Sequence, residues 1–370
     1  MTSLDEVETP VGLIDLERVR SNAAAVTRYL TARGLAWRPH IKTHKSLGVA
    51  RIQLEAGAAG LTVATPREAE VMSAVTDDLL LAYPPVGEGK LERLMGLPER
   101  VRLTVALDSE EVLRGLARAG IAAGRPSDVL VELDAGLHRV GVATTGELVR
   151  LAELAAGLEG VRYRGILFYP GQIRMPAGEQ DEALERLGAL LEGAYGALEA
   201  AGLAPMTVSG GSTPTLWKSH LVPGLSEVRA GSCIFNDRES VSLGAARWAD
   251  LAYTVLATVV STAVPGQAVV DAGSKALAKE TRSGDATFGV LLDRPEVTVS
   301  ALSEEHGVLD LSTSEWRPRI GERVRVVPNH VCVSVNLQDH VLAWDGSSWE
   351  AWPLEARGRA PWAELGVPVS

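Results

Sequence analysis

The amino-acid sequence predicts an α/β fold in two parts, a TIM-type (β/α)8 barrel followed by a mainly antiparallel β domain. Apolar segments of strand length alternate with amphipathic segments of helix length through residues 16–245, and eight such apolar segments can be distinguished. After this region the pattern changes to β-rich runs separated by glycine, proline and aspartate turns. Eight alternations favour a closed parallel barrel over a doubly wound sheet. We place the barrel at 16–245 and the β domain at 246–370, with the N-terminal strand 1–15 joining the β domain.

The predicted strands of the barrel lie at 36–41, 60–64, 78–82, 101–107, 127–133, 161–167, 206–209 and 226–229. Helix start signals follow several of them. Asp108 or Ser109 precedes EEVLRGLARAG, and Thr144 or Thr145 precedes GELVRLAELAAG. Such side chains cap the first backbone N–H groups of a helix, so a helix is expected after each of these strands.

Composition and charge exclude several classes of partner. The chain has 370 residues and 46% hydrophobic content, which is enough for a sizeable core. A formal net charge of -11 argues against nucleic acid and membrane surfaces as partners, because both bind clustered lysine and arginine. The N-terminus has no secretory signal, no apolar run approaches the ~18 residues of a membrane span, and a cytoplasmic protein is expected. Two cysteines are too few for a disulfide framework.

The ends of the predicted strands carry the first candidate for chemistry. In a barrel of this kind the active site lies at the C-terminal ends of the strands. Lys42 follows the first strand within RPHIKTHK, a segment that crowds several cationic groups together. A solvated basic loop is the plainer interpretation, but it does not explain why the cluster directly follows a barrel strand. We therefore predict that Lys42 is a nucleophilic amine of the kind that Schiff-base chemistry uses.

Small residues after the last two strands are candidates for phosphate binding. SGGSTPT follows the seventh strand and AGS follows the eighth, where barrels commonly bind phosphate with backbone N–H groups and hydroxyls. Most glycine-serine runs are ordinary loops, and only the location favours this one. The predicted residues are Ser209, Gly210, Gly211, Ser212, Thr213, Gly231 and Ser232.

The segment PNHVCVS is a candidate metal site. It is predicted to be a strand, and in a strand His330 and Cys332 lie on the same face because they are two residues apart. Imidazole and thiolate are suitable ligands for zinc and leave positions open for water or substrate. The alternative is a buried histidine beside a small apolar cysteine. VDAGSK and SEEHG are interpreted as surface turns.

Together these segments resemble the D-serine dehydratase and D-threonine aldolase family, which shares the alanine-racemase fold of fold-type III pyridoxal-phosphate enzymes. The resemblance covers nearly the whole chain in the right order. It rests on TPVGLIDLERVRSNAAAV, RPHIKTHK, LDAGLHRVGV, GILFYPGQ, SGGSTPT, EVRAGSCIFND, VDAGSKAL, SEEHGVL and PNHVCVSVNL. RPHIKTHK together with PNHVC is the most specific combination.

The resemblance implies roles for individual residues. Lys42 corresponds to the lysine that holds pyridoxal 5'-phosphate, Arg139 to an arginine near the cofactor ring, and Tyr169 to an active-site tyrosine after the sixth strand. SGGSTPT with the following glycine and serine corresponds to the phosphate cradle. His330 and Cys332 correspond to the metal pair of the dehydratases, which bind zinc, whereas the aldolases usually show H-x-D and use manganese or similar ions.

The same resemblance implies a homodimer that acts on a small D-amino acid. We expect β-elimination from a D-3-hydroxy amino acid to a 2-oxo acid and ammonia, as in D-serine dehydratase. The alternative is retro-aldol cleavage to glycine and an aldehyde, as in D-threonine aldolase. An amino-acid racemase and a non-catalytic pyridoxal-phosphate carrier are less favoured readings of the same fold.

The chain departs from the family pattern in the barrel loops. Cys233 stands where family members commonly carry tyrosine. Met175 stands where the aldolases typically carry a histidine taken to be a catalytic base, and methionine cannot move a proton. Gln172 and Arg174 also differ from the expected loop. The thiol in the metal pair and the methionine at position 175 both favour dehydration.

Overall fold

A computed structural model describes residues 4–281 and 285–361, which form two compact units. The β unit contains the described residues within 4–23, 43–49 and 232–355, and the barrel unit contains those within 24–42, 50–231 and 356–361. The outer ends of the predicted β-domain segments, residues 1–3 and 362–370, lie outside the described residues.

In chain order the strands are β1 (Val11–Asp15), β2 (Ala36–Trp37), β3 (Leu61–Val63), β4 (Asp78–Leu81), β5 (Arg102–Leu107), β6 (Ser127–Leu133), β7 (Val161–Phe168), β8 (Thr207–Gly210), β9 (Glu227–Val228), β10 (Tyr253–Ser261), β11 (Gln267–Val270), β12 (Gly289–Leu291), β13 (Thr298–Leu302), β14 (Gly307–Asp310), β15 (Arg323–Pro328), β16 (His340–Trp344) and β17 (Trp349–Pro353). The helices are α1 (Leu16–Thr31), α2 (Leu47–Glu55), α3 (Pro66–Met72), α4 (Glu88–Met95), α5 (Glu110–Ala122), α6 (Thr145–Gly157), α7 (Asp181–Ala200), α8 (Arg238–Ser242), α9 (Ser274–Leu277) and α10 (Val331–Asn336).

The barrel unit is built on an eight-stranded sheet in which every neighbouring pair is parallel. The order is β2-β9-β8-β7-β6-β5-β4-β3, and a parallel bridge between His40 and Thr62 joins its two ends. Each of the eight predicted segments overlaps one of these strands, so the predicted barrel is confirmed. Its interior holds a cluster of apolar side chains from alternating strand positions: Leu80, Ala106, Leu130 and Leu167.

Local sequence explains where the barrel helices begin. Thr144 accepts a hydrogen bond from the backbone N–H of Glu147, and the Glu147 side chain accepts from Thr144 N–H, which forms a capping box at α6. The Thr65 side chain accepts a hydrogen bond from the Glu68 backbone N–H and so caps α3. Pro66 occupies the first helical position, where its missing N–H costs nothing. These helix starts fix the loops that leave the C-terminal ends of the strands.

The β unit contains a nine-stranded sheet in the order β11-β14-β13-β12-β15-β10-β1-β16-β17. An additional antiparallel pairing between β10 and β11 closes part of this sheet on itself. The N-terminal strand β1 pairs antiparallel with β10 and parallel with β16. All other pairs are antiparallel, as the sequence predicts for this part of the chain.

One predicted element is wrong. PNHVCVS is not a strand, because β15 ends at Pro328 and helix α10 begins at Val331. Alternating valines suggest a strand, but Val331 and Val335 are both fully buried, which is the spacing of one helix face. The Asp237 carboxylate accepts the Val331 N–H at 3.0 Å and satisfies a donor at the helix start. The same-face argument for His330 and Cys332 therefore does not hold as stated.

Among the described residues, no helix is long and apolar enough to cross a membrane.

Candidate active site

Lys42 lies in a single 3-10 turn, Ile41–Thr43, that follows strand β2 along the chain. Its backbone N–H donates to Nδ1 of His40 at 3.4 Å, and His40 is buried and forms the bridge that joins the ends of the barrel sheet. The lysine side chain itself is exposed. The buried His40 thus contacts the backbone from which the exposed Lys42 side chain extends.

Tyr169 brings the predicted cofactor-binding residues of the barrel together. The Nζ of Lys42 lies 5.8 Å from the centre of the Tyr169 ring, and the Cζ of Arg139 lies 5.0 Å from the same centre. Cations are attracted to the face of an aromatic ring at such distances. Three residues from three different strand ends therefore converge at the C-terminal face of the barrel, where the sequence places the site.

A buried charge pair that the sequence analysis did not identify lies close to this cluster. Arg229, directly after β9, is 7% exposed, and Glu132, in β6, is 4% exposed. Burial lowers the pKa of Arg229, while Glu132 and other nearby charges oppose that shift. Burial raises the pKa of Glu132 against the lowering effect of Arg229 and Arg139. Both residues fall within predicted strands, at 127–133 and 226–229, but these segments also contain Asp128 and Glu227, so the pattern does not single out Glu132 and Arg229.

The predicted phosphate residues at the ends of β8 and β9 include three positions that require glycine. A side chain at Gly210 would place its Cβ 2.2 Å from the Phe168 ring, and one at Gly231 would place it 2.4 Å from the His40 carbonyl oxygen. Gly211 has a φ of +83°, a conformation that favours glycine. Close packing at Gly210 and Gly231 and the backbone conformation at Gly211 therefore require glycine.

Buried polar atoms in the same region lack protein partners. Among the described residues, neither the Ser209 hydroxyl nor the Arg229 Nε has a hydrogen-bond partner, although both are fully buried. Buried polar groups are normally satisfied, so such atoms point to a bound molecule or water. Ser212 instead contacts the Thr215 hydroxyl at 3.0 Å, and Ser232 begins a 3-10 turn in the β unit. Together with the glycines, these groups fit a phosphate-bearing cofactor.

His330 and Cys332 lie at the start of α10 in the β unit and contact each other through their side chains. The Thr43 hydroxyl lies 3.2 Å from the Cys332 sulfur. Asp237 and Glu239 place carboxylate oxygens 3.6 and 3.8 Å from Nδ1 of His330. The predicted pair is therefore brought together by a helix start rather than by a strand.

The surroundings of His330 favour positive charge. Burial alone would lower the pKa of His330, but the charges and hydrogen bonds of Cys332, Glu239 and Asp237 raise it to about 11. The carboxylates and the thiol that favour positive charge on this ring also favour a cation beside it. The described residues contain no group of three or more side chains arranged as a complete metal site. His330 and Cys332 thus provide two side chains of the kinds that bind zinc.

Met175 and Gln172, two of the departures from the family pattern, line a cavity of about 490 Å³ in the barrel unit. Gln172 donates to the Ala135 carbonyl and so ties the loop after β7 to the loop after β6. His138 and Asp134 line the same cavity, and their Nδ1 and Oδ2 atoms are 2.6 Å apart. Position 175 therefore contributes no histidine to this cavity, but the loop after β6 contributes His138.

Backbone geometry supports this histidine. His138 has a φ of +56°, which is uncommon for a residue other than glycine, and Oδ1 of Asp134 accepts the N–H groups of Gly136 and His138. Partial burial raises the pKa of Asp134, but these hydrogen bonds from the loop hold it below its usual range. The carboxylate thus stays charged and orients the imidazole. Cys233, the remaining departure, is buried in the Ser232–Ile234 turn of the β unit.

Comparisons with known proteins agree with the fold and the motifs. The family model described as Putative serine dehydratase domain matches residues 252–344, and the one described as Alanine racemase, N-terminal domain matches residues 14–239. The chain is 32% identical to a D-threonine aldolase from Arthrobacter sp, across 96% of this chain and 94% of that protein. It is 34% identical to a D-threo-3-hydroxyaspartate dehydratase from Delftia sp. (strain HT23), across 93% of this chain and 97% of that protein.

The solved structure of a relative bears on metal binding in this family. It is a D-threo-3-hydroxyaspartate dehydratase in which a cysteine is replaced by alanine, described as the metal-free form. It superposes on this chain with a TM-score of 0.88 and 32% identity. The match covers 97% of this chain and 100% of the dehydratase chain. The chain therefore belongs to the D-serine dehydratase and D-threonine aldolase family of pyridoxal-phosphate-dependent D-amino-acid lyases, which have the alanine-racemase fold.

Proposed function

We propose that the protein dehydrates a D-3-hydroxy amino acid of the D-serine type to a 2-oxo acid and ammonia. The observation that carries this proposal is the His330–Cys332 pair in its anionic surroundings. A thiol stands where the aldolases of the family usually carry an aspartate, as the sequence resemblance implies. The related dehydratase supports this assignment, because its cysteine-to-alanine variant is described as metal-free.

Pyridoxal phosphate, when bound, supplies an electron sink that stabilises negative charge at the α-carbon of an amino acid. The residues proposed to hold it are Lys42, which is the covalent anchor, Arg139 and Tyr169 beside it, and the glycine-serine loops after β8 and β9. The Nζ of Lys42 then acts as the base that takes the α-proton of the substrate.

His330 and Cys332 are proposed to hold a divalent cation, with zinc preferred by the thiol and manganese as the alternative. Such a cation is a Lewis acid that favours departure of the 3-hydroxyl. Thr43, the residue directly after Lys42, contacts the Cys332 sulfur within the β unit. After loss of water, hydrolysis of the released enamine gives the 2-oxo acid and ammonia.

A second function, retro-aldol cleavage to glycine and an aldehyde, is supported by one specific observation. That reaction needs a base for the 3-hydroxyl proton, and Met175 cannot be that base. His138, oriented by Asp134 in the cavity that Met175 lines, is an alternative base. Because a D-threonine aldolase is among the relatives, we rank this alternative second, after dehydration.

The proposal is tested by turnover of purified protein with D-serine, with L-serine as the stereochemical control. We expect formation of a 2-oxo acid and ammonia in equal amounts from D-serine alone. Inversion of serine without any 2-oxo acid would instead identify a racemase, and no turnover of any D-amino acid with full cofactor occupancy would identify a carrier. We further propose a homodimer in the cytoplasm, to be tested by size-exclusion chromatography with light scattering and by cell fractionation.

A further inference from the structure

Asp237 lies next to the proposed metal pair in the segment EVRAGSCIFND, and its carboxylate bridges two segments of the β unit. It is only 2% exposed. Oδ1 accepts from the Ser240 backbone N–H at 2.8 Å and from the Ser240 hydroxyl at 2.6 Å, which caps helix α8. Oδ2 accepts from the Val331 N–H at 3.0 Å and lies 3.6 Å from Nδ1 of His330. One oxygen thus accepts hydrogen bonds from α8, and the other accepts a hydrogen bond from the start of α10.

Neighbouring contacts keep these two segments together. The Glu239 N–H donates to the Asn329 carbonyl at 3.3 Å, and Nη1 of Arg238 donates to the Asn329 side chain at 3.1 Å. The Asn329 amide in turn donates to the carbonyls of Thr287 and Glu280. Asp237 is therefore held by the framework on either side of it, and its carboxylate cannot turn away without breaking several hydrogen bonds.

The side-chain chemistry matches a recurring arrangement in metalloproteins. A histidine that binds a metal through one ring nitrogen usually donates its other N–H to a carboxylate, which fixes the tautomer and the ring orientation. Here the buried carboxylate lies on the Nδ1 side of His330. Asp237 at 3.6 Å and Glu239 at 3.8 Å both place negative charge on the Nδ1 side of the ring, which favours Nδ1–H there and leaves Nε2 as the nitrogen for a cation.

We propose that Asp237 is the positioning residue of the metal site, which orients His330 through Nδ1 and fixes the first turn of α10, the turn that carries Cys332. The inference rests on the proposed metal role of His330 and Cys332. Glu239, whose side chain is 20% exposed, also hydrogen-bonds to His330, whereas the Asp237 carboxylate in addition accepts the Val331 N–H at the start of α10. Asp237 performs both tasks with one oxygen atom.

The proposal predicts how metal affinity changes on substitution. Asp237→Asn keeps the size of the side chain, but its amide group cannot accept hydrogen bonds on both sides. We expect the dissociation constant for Co²⁺, titrated into chelator-stripped full-length protein and read from the cobalt–thiolate charge-transfer band, to rise about 10- to 100-fold. Ser240→Ala is the matched control, because it removes a partner of the other oxygen and should leave Co²⁺ affinity close to that of the parent.

Circular dichroism and cofactor content identify any variant that fails to fold. A folded Asp237→Asn protein with parental Co²⁺ affinity would overturn the inference while leaving the metal pair intact. If the parent binds no Co²⁺, or if Cys332→Ala leaves the charge-transfer band unchanged, both the metal role and the inference are overturned.

A measurement without any change at Asp237 provides a second test. Nitrogen-15 NMR of histidine-labelled, zinc-loaded parent protein, with the His330 signal assigned from its loss in His330→Ala, reports which ring nitrogen carries the proton. We expect a protonated Nδ1 and a metal-bound Nε2. A metal-bound Nδ1 would contradict the proposed role of Asp237, whatever the variants show.

Discussion

The amine of Lys42 and the phenol ring of Tyr169 face each other across the C-terminal end of the barrel, with Nζ 5.8 Å from the ring centre. The two residues are 127 positions apart along the chain, 169 minus 42. The parallel barrel brings them together because both follow the C-terminal ends of strands. Arg139 lies over the same ring at 5.0 Å, so the ring organises two cations at the proposed cofactor site.

Lys42 is predicted to be the covalent anchor of the cofactor. Lys42→Ala should remove the visible absorbance of the bound cofactor and abolish turnover, because the Lys42 amine lies beside Tyr169 at this strand end. The measurement is borohydride reduction followed by peptide mapping. Lys90→Ala is a matched control, since Lys90 also lies over a tyrosine ring, 5.7 Å from the centre of Tyr83, at a different position. A label on any lysine other than Lys42 would refute the assignment.

Tyr169 is predicted to have separable ring and hydroxyl roles. Tyr169→Phe keeps the ring that Lys42 and Arg139 contact, so cofactor affinity should stay near that of the parent while kcat falls. Tyr169→Ala removes the ring and should weaken cofactor binding as well. Cofactor titration and steady-state kinetics measure the two effects. Equal loss of cofactor affinity in both variants would contradict the division of roles.

The His330–Cys332 pair is predicted to hold one divalent cation per subunit. His330→Ala and Cys332→Ala should each lose the metal and most of the activity while the cofactor remains bound, because the residues proposed to hold the cofactor lie in the barrel unit, except for Ser232. Elemental analysis of the purified proteins measures the metal content, and absorbance spectra measure the bound cofactor. Cys332→Asp, which restores the H-x-D pattern, should regain metal with a shifted preference towards manganese. Active parent protein that contains no metal would contradict the prediction.

The cavity beside Met175 is predicted to control which bond of the substrate breaks. Met175→His supplies a group that can move the 3-hydroxyl proton, so the yield of glycine and aldehyde from D-threonine should rise at least about tenfold, within the range of general-base contributions. Met175→Leu is the control that changes shape without adding a base. His138→Gln tests whether the histidine already present contributes to any cleavage by the parent. An unchanged product ratio in Met175→His would show that the cavity does not serve this chemistry.

Much of the fold and part of the site can be predicted from the sequence. The barrel follows from the alternation of apolar and amphipathic segments, which is a local property of the chain. Lys42, Arg139 and Tyr169 were predicted from motifs, and the structure brings them together because parallel strands end at one face. The predicted strand at PNHVCVS was wrong because alternating valines are compatible with both a strand and a short helix. The Asp237 carboxylate, which accepts the first N–H of the helix, is 94 residues away along the chain, 331 minus 237.

Residues that act through tertiary contacts were not predicted. Glu132 and Arg229 are both buried and each influences the pKa of the other, but the local pattern of their segments does not single them out. The His138–Asp134 pair depends on a left-handed backbone at a non-glycine residue, which a sequence pattern does not indicate. Such features arise from how distant elements pack, so they become visible only in three dimensions.

The most direct test of dehydration is the product of D-threonine, because this one substrate gives different products in each proposed reaction. Dehydration by the metal-loaded holoenzyme releases 2-oxobutanoate and ammonia, and retro-aldol cleavage releases glycine and acetaldehyde. Mass spectrometry of the complete reaction mixture, with L-threonine as the stereochemical control, measures both pairs at once. We predict 2-oxobutanoate as the main product. Glycine and acetaldehyde without any 2-oxo acid would contradict the proposed dehydratase activity and favour the aldolase.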